Sequence, residues 1–304
     1  MYVLPFSLRY SIVDKFNQWY VKKRLNAGQY DVMVFTNPRQ YKFVSQKQLD
    51  GRILVYECMD NIPFFYSGQL RERMLRDEYE ILRIVDGVIV SSDYLKMKIL
   101  KQLKDRGYSK PVQTIYNALD RSSFINQNIH PVDLKRPNLV YIGTIGGWID
   151  WNVIERFSSD HPEYTIYMIG PIEHHRELPS NVVFIGSIPH QQVPGYIASG
   201  DTMILPFLRN DLTEAVDPVK LYEYIALSKP VICSYWPELE RFREHVYFYR
   251  SYEDFKRIAL HIEGKDGFEV HTRFVEKHNW NIRVKEYESF LTELAKLKIE
   301  KKNK

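Results

Sequence analysis

Asp217-Pro218-Val219-Lys220-Leu221-Tyr222-Glu223-Tyr224-Ile225-Ala226, continuing into Leu227-Ser228-Lys229-Pro230-Val231-Ile232, reads as a helix start, a short helix, a turn and a buried strand. Asp217 is a good N-cap, and Pro218 suits the first helical position, where a missing N–H costs nothing. The free N–H groups of such a start, together with the helix dipole, attract an anion such as a diphosphate. Lys220 adds positive charge in the first turn, and Glu223 lies one turn further along the same face. A carboxylate there can accept hydrogen bonds from a vicinal diol such as a ribose. The plain alternative is a capped helix with a Lys220–Glu223 surface pair.

Towards the N-terminus from this stretch, strands closed by glycine or proline alternate with helices. Residues 201–205 read as a strand ending at Pro206-Phe207, 193–199 as a helix, and 181–185 and 164–169 as strands ending at Gly186 and Gly170. Residues 139–142 are the first strand of this half, followed by Gly143-Thr144-Ile145-Gly146-Gly147-Trp148. Glycines after a strand let backbone approach a phosphate, although the pattern is neither Gly-x-Gly-x-x-Gly nor a Walker loop. His174 and His175 read as a polar loop, because two histidines without further ligands do not close a metal site. Residues 121–137, polar with Pro131 and Pro137, read as a linker.

In the first half, residues 8–27 place Ile12, Val13, Phe16, Trp19, Tyr20 and Leu25 at helical spacing, with Lys15, Lys22, Lys23 and Arg24 between them. This is either a surface helix or a basic amphipathic face for anionic lipid. Strands at 31–36, 52–57, 88–90 and 112–115 alternate with helices at 69–85 and 93–103, which implies a parallel sheet covered on both faces. Ligands of such sheets sit beyond the carboxyl ends of the strands, a rule that selects Glu57, Asp60, Asn61, Ser91, Ser92 and Asn117. Taken singly, Ser91 and Asn117 read as turn residues and Asp60 equally as a cap for 61–66. Residues 2–6 read as a remnant strand without a glycine-rich loop, so this domain is expected to be short by about fifty residues or more against the usual size.

The chain has 304 residues, enough for two packed domains, and a net charge of +4, too small to argue for nucleic acid. Residues 1–49 hold eight Lys or Arg against two Asp, a net +6, so the remainder carries −2 (4 − 6). Cys58 and Cys233 lie in or beside apolar runs and fit buried thiols in a reducing cytosol. No run of eighteen apolar residues and no signal-peptide pattern is present.

The motif Pro218-x-Lys220-x-x-Glu223-Tyr224-x-Ala226-x-x-Lys229-Pro230-Val231-Ile232 resembles the donor-nucleotide motif of family-4-like (group 1) bacterial glycosyltransferases of GT-B fold. The strings Asn181-Val-Val-Phe-Ile-Gly186, Tyr196-Ile-Ala198, Asp201-x-x-Ile-x-Pro-Phe207 and Asn279-Trp280 are similar to further motifs of that family in the same order. The resemblance covers roughly residues 50–295. It implies an α/β chain of two Rossmann-like domains facing each other, with an abbreviated N-domain. Residues 1–125 would be the acceptor-side domain, 126–270 the nucleotide-sugar-binding domain, and 271–304 a C-terminal helix crossing back to the first. The implied activity is transfer of a sugar from a UDP- or GDP-type donor to a hydroxyl acceptor, a lipid-linked one included. This would occur in cell-surface polysaccharide or glycolipid assembly, with retention, without cofactor or metal, and without nucleic acid as a partner. The implied location is cytoplasmic, peripheral on the inner face of the membrane. Gly143, Thr144, Gly146, Gly170, Asp217, Pro218, Val219 and Glu223 would bind the nucleotide sugar, with Asp60, Glu214 and Lys220 as catalytic candidates.

Two departures stand out. The family's earlier glutamate near the donor sugar falls on Ala215, with Glu214 one residue off, and its Arg and Lys after the glycine loop are replaced by Trp148-Ile149-Asp150-Trp151. Charge neutralisation would then fall on Lys220, the helix dipole or Arg39. These departures favour a second reading, a non-catalytic GT-B subunit that binds nucleotide or a partner protein. A third, a sugar-nucleotide epimerase, finds no additional acid–base constellation.

Overall fold

The computed structural model describes residues 3–5, 7–26, 28–124, 128–173, 176–262 and 269–302. The chain forms two compact units, residues 1–116 with 284–304, and residues 117–283. The expected divisions at 125/126 and 270/271 thus move to 116/117 and 283/284. The first moves because Asn117, Ala118 and Leu119 are tied into the second unit: Leu119 N–H donates to the His278 carbonyl at 3.0 Å and Asn117 is bonded to Asp217.

In the first unit, α1 (Ser11–Arg24), β1 (Val32–Phe35), α2 (Gln46–Leu49), β2 (Ile53–Cys58), α3 (Gly68–Ile84), β3 (Gly87–Val90), α4 (Asp93–Lys104) and β4 (Val112–Thr114) follow in order. The four strands make a parallel sheet in the order β1-β2-β3-β4. β3 is buried along its whole length, as a strand covered on both faces should be. β1 is an edge strand with Val34 exposed, so the buried strand expected at 31–36 is buried only at Phe35. Residues 3–5 form no strand; residues 2 and 6 of the expected remnant strand lie outside the described residues. Charged residues are packed inside. The Arg39 guanidinium donates to both carboxylate oxygens of Asp14 at 2.7 Å, Arg73 reaches the same group at 2.9 Å, and Lys42 pairs with Asp77.

The second unit runs β5 (Asn138–Ile142), α5 (Trp151–Asp160), β6 (Thr165–Ile169), β7 (Val182–Gly186), α6 (Val193–Ser199), β8 (Thr202–Leu205), α7 (Val219–Ala226), β9 (Val231–Ser234), β10 (Tyr247–Tyr249), α8 (Tyr252–His261) and α9 (Thr272–Lys277). Its six strands are parallel in the order β10-β9-β8-β5-β6-β7. Counted from β5, this is the order 6-5-4-1-2-3 of a doubly wound nucleotide-binding sheet, and the winding reverses between β5 and β8. These two strands are clamped at their starts: Asn138 N–H donates to Asp201 at 2.9 Å, and Asp201 N–H returns a bond to the Asn138 side chain at 2.8 Å. One apolar core, from Ile142, Ile169 and Leu205 to Trp236 and Phe255, fills both faces.

The C-terminal helix expected over 271–299 is broken in two. α9 stops because the Asn279 amide donates to the carbonyls of Val275 and Glu276, at 3.0 and 2.8 Å, while its side-chain oxygen accepts from Asn281 N–H. α10 (Trp280–Lys302) follows. From Val284 onward α10 belongs to the first unit, where Phe290 and Leu294 pack on Val55, Ile89 and Ile115, and Lys298 bonds Asp86 at 2.6 Å.

Candidate functional site

Ligands of a doubly wound sheet collect beyond the strand ends where the winding reverses. In the second unit that place is formed by the loop after β5 and the start of α7. Tyr224 on α7 accepts a hydrogen bond from Ile142 N–H at 2.9 Å, which fixes the helix to the end of β5. Gly143 follows at φ +148° and Gly170, after β6, at φ +141°, backbone that favours glycine. Both also sit in close contacts that exclude a side chain. A Cβ on Gly170 would lie 2.1 Å from the Gly143 carbonyl oxygen. A Cβ on Gly143 would lie 1.8 Å from Lys220 Cε and 2.6 Å from its Nζ.

Lys220 therefore lays its stem across the bare backbone of Gly143. Among the described residues its ammonium has neither a hydrogen bond nor an ion pair. Burial lowers its pKa, an effect that nearby Glu223 opposes. The Lys220–Glu223 surface pair weighed from the sequence is not formed within 4 Å. Both groups are half-buried, and the Glu223 carboxylate instead lies 3.5 Å from His190 Nε2. Burial raises the Glu223 pKa, with His190 and Lys220 acting against it. His190 was missed from the sequence, because nothing in Ile188-Pro189-His190 marks it; only folding brings it to Glu223. An unpartnered cation, a desolvated carboxylate, and glycine backbone lie within one turn of a helix start, an arrangement suited to a diphosphate next to a diol.

Asp217 does not cap α7. The cap position is Pro218, with no side-chain bond, and the exposed Val219 is the first helical residue. The Asp217 carboxylate is wholly buried and occupied, accepting from Asn117 N–H at 2.8 Å and the Tyr222 hydroxyl at 2.9 Å and pairing with Arg241. Burial pushes its pKa up to about 6 against the pull of Arg241. Asn117 N–H takes the place a capping N–H would have had, so Asp217 supports the site from below.

The other candidates distribute unevenly. Thr144 is half-buried in the loop, where its carbonyl accepts from the Tyr141 hydroxyl at 2.8 Å. Gly146 is hemmed in by an acid: a Cβ there would lie 2.6 Å from Glu173 Oε2 and equally close to the Trp148 ring. This makes Gly143, and not Gly146, the glycine beside the cation. Asp150 caps α5, accepting from Val153 N–H at 3.4 Å, a helix the sequence reading left out. Glu214 lies in a single helical turn, residues Thr213–Ala215, and pairs with Arg209. Asp60 lies in the first unit beyond the carboxyl end of β2, half-buried, and burial raises its pKa. Arg39, expected as a source of charge for a diphosphate, is committed to Asp14 and only 5% exposed. Cys58 and Cys233 are buried free thiols. No group of three metal-ligating side chains is present among the described residues; His174 and His175 lie outside them. No helix among the described residues is long and apolar enough to cross a membrane.

Comparison with known proteins adds to this geometry. Residues 151–289 match the protein family described as "Glycosyl transferase-like". Over 256 residues the chain is 26% identical to the Bacillus subtilis (strain 168) protein named "Putative teichuronic acid biosynthesis glycosyltransferase TuaH", covering 75% of this chain and 64% of that one. The chain thus spans less than two thirds of the length of that relative. Among solved structures it is similar to sucrose-phosphate synthase from Thermosynechococcus elongatus, with a TM-score of 0.71 at 15% identity over 97% of this chain and 81% of that one. Anabaena HepE, solved in complex with UDP and glucose, matches with a TM-score of 0.63 at 14% identity over 95% and 83% of the two chains. At such identities the likeness is one of fold, and the fold is that of the GT-B glycosyltransferases. The second unit's nucleotide-type sheet and the sequence match agree: residues 151–289 are similar to a glycosyl transferase-like family, within a chain of GT-B fold.

Proposed function

We propose that the protein moves a sugar from a nucleoside diphosphate sugar to a hydroxyl acceptor in the assembly of a cell-surface polysaccharide or glycolipid. The observation that carries this reading is the Lys220 ammonium, held across Gly143 without a partner among the described residues. In the reaction the acceptor oxygen forms a bond to the anomeric carbon as the bond to the diphosphate breaks, negative charge grows on the leaving group, and the acceptor's hydroxyl proton passes to the departing diphosphate. Lys220 and the first N–H groups of α7, from Val219 on, meet that charge, so stabilisation is electrostatic and the residues themselves supply it. Glu223 takes the ribose hydroxyls, and Gly143, Thr144 and Gly170 let backbone close on the phosphates. Asp60 serves the acceptor hydroxyl, and Glu214 the donor sugar once released from Arg209.

UDP is the first donor nucleotide to test, since HepE binds it on the same fold. The relative's name, teichuronic acid biosynthesis, supports a polymer acceptor, which is lipid-linked and met at the cytoplasmic face in this reading. Retention of configuration and independence from metal complete the proposal, both supported by the family resemblance. A second reading rests on one observation: where the motif that the chain resembles would place a glutamate the chain has buried Ala215, and Glu214 beside it is tied to Arg209. A nucleotide-binding subunit without turnover would have the same features.

The test is calorimetric titration with UDP and GDP alongside turnover with a panel of their sugars. Glu223→Ala should weaken nucleotide binding by about 1–3 kcal/mol, the cost of leaving a buried partner unpaired. Unchanged affinity removes Glu223 from the site. Binding without any turnover selects the second reading, and absence of both refutes the donor site.

A further inference from the structure

The first helix of the chain is built inside out. At about 100° per residue, the side chains that α1 turns inward, Asp14, Asn17 and Val21, occupy one arc of the helix. Ile12, Phe16 and Trp19 occupy the opposite arc, roughly 180° away. They are 81, 45 and 53% exposed. A soluble helix buries its apolar stripe and shows its polar one; here the buried side holds an aspartate and an asparagine. The reversal is fixed by specific bonds. Asp14 accepts from Arg39 and Arg73, and the Asn17 amide exchanges two hydrogen bonds of 2.9 Å with the backbone of Leu4. Rolling the helix to bury its aromatics would break all of these.

The outward arc is organised. Phe16 packs on Trp19 and on Tyr20, with ring centroids 5.9 and 6.2 Å apart. Lys23 Nζ lies 4.8 Å from the Trp19 ring, and the Arg24 guanidinium 4.9 Å from the Tyr20 ring. Around the stripe stand Arg9, Lys15, Lys22, Lys23 and Arg24, all exposed. The only acid between residues 7 and 26 is Asp14, which is turned inward and neutralised. The outer surface of this segment is therefore aromatic and cationic with no anion.

We infer that α1 is a docking surface for an anionic lipid bilayer, lying in the interface plane with Ile12, Phe16 and Trp19 in the acyl boundary and the five cations at the headgroups. Charge complementarity selects this occupant. A purely apolar partner would gain nothing from five cations, and a second copy would bring five more against them. Aromatic rings at the apolar–polar boundary and long basic side chains reaching from it are the features an interfacial helix requires. The net charge of +6 over residues 1–49 overstates the lipid-facing charge, because Arg39 and Lys42 are spent on Asp14 and Asp77. The inference uses only the first unit and does not depend on the donor site.

The experiment is flotation of the full chain, without nucleotide, with vesicles of phosphatidylcholine alone or with one third phosphatidylglycerol. Wild type should float with the anionic vesicles at low salt, be released at high salt, and ignore the neutral ones. The combined variant Ile12→Ser, Phe16→Ser, Trp19→Ser should bind at least tenfold more weakly with an unchanged circular dichroism spectrum. Brominated acyl chains should quench part of the wild-type fluorescence, and Trp19→Phe should remove that part. Wild type that stays in solution, or a triple variant that binds equally well, overturns the inference. So does a wild-type dimer in ultracentrifugation that the triple variant converts to monomer, since a second copy then covers the stripe. Because no nucleotide is present, failure here leaves the donor reading untouched, and failure of UDP binding leaves this one untouched.

Discussion

Replacing Lys220 by methionine separates the two roles its position allows. Methionine keeps most of the unbranched stem that lies across Gly143 and removes the ammonium. In the free protein that ammonium is half-buried, has no ion pair or hydrogen bond among the described residues, and is disfavoured as a charge by burial. Its removal should therefore not destabilise the fold. The expected change lies between zero and about 1 kcal/mol towards greater stability, a rise of at most about 4 °C in melting temperature for a unit of this size. The bound state should respond in the opposite direction. A charged hydrogen bond contributes about 1.5–3 kcal/mol, so the Kd for UDP should rise by roughly ten- to a hundredfold. Charge on the diphosphate grows as the sugar leaves, so turnover should fall further, within the ten- to thousandfold range of one electrostatic contact. The assay is paired: calorimetric melting with and without UDP, and turnover at saturating donor. A variant with unchanged affinity and rate would refute the assignment of Lys220 to the diphosphate. A variant that loses about 3 kcal/mol of stability or more would refute the claim that the ammonium is unpartnered.

Gly143→Ala should displace the Lys220 side chain, since the new Cβ would fall 1.8 Å from Cε, and it also strains backbone held at φ +148°. UDP affinity should drop at least as far as in Lys220→Met, with a loss of about 1–3 kcal/mol in stability, measured by titration and denaturation. His278, its ring tilted against Phe274 with centroids 4.4 Å apart, has its pKa depressed from 6.5 to about 4, first by burial and then by Arg283 and Arg241. The unfolded chain therefore binds a proton between these pH values that the folded chain refuses. This group's contribution is complete above about pH 6.5 and is lost as pH falls towards 4. His278→Leu should flatten that part of the stability–pH curve in urea titrations, and an unchanged slope would exclude His278 as its source.

Much of the fold was legible from period and punctuation. Parallel strands read as short apolar runs, and all of these except β2 were closed by glycine, proline or serine, so β2, β3 and β5 to β8 fall within a residue or two of their expected places. Lys220 and Glu223 could be named because i, i+3 spacing on a helix is a local property. Cap chemistry was also local, yet it misled at Asp217: an aspartate before a proline is a good cap only if nothing else competes for it. Asn117, Tyr222 and Arg241, from 100 residues before to 24 after, compete and win. Asp150 went unread as a cap for the converse reason, that it stood in a place where basic residues were sought.

What the sequence could not contain was proximity across the fold. Lys220 lies on Gly143 and His190 meets Glu223 only because β5 and β8 are neighbours where the sheet reverses, a property of strand order that no local window records. The same holds for α1. Its alternating aromatic and basic residues predicted an amphipathic helix, but not which face would be buried. That was decided by Arg39 and Arg73, 25 and 59 residues away, which draw Asp14 inward and leave the aromatics outside. Pairing a buried carboxylate with two guanidiniums outweighs burying a surface ring, because an unpaired buried charge costs more than exposed apolar area.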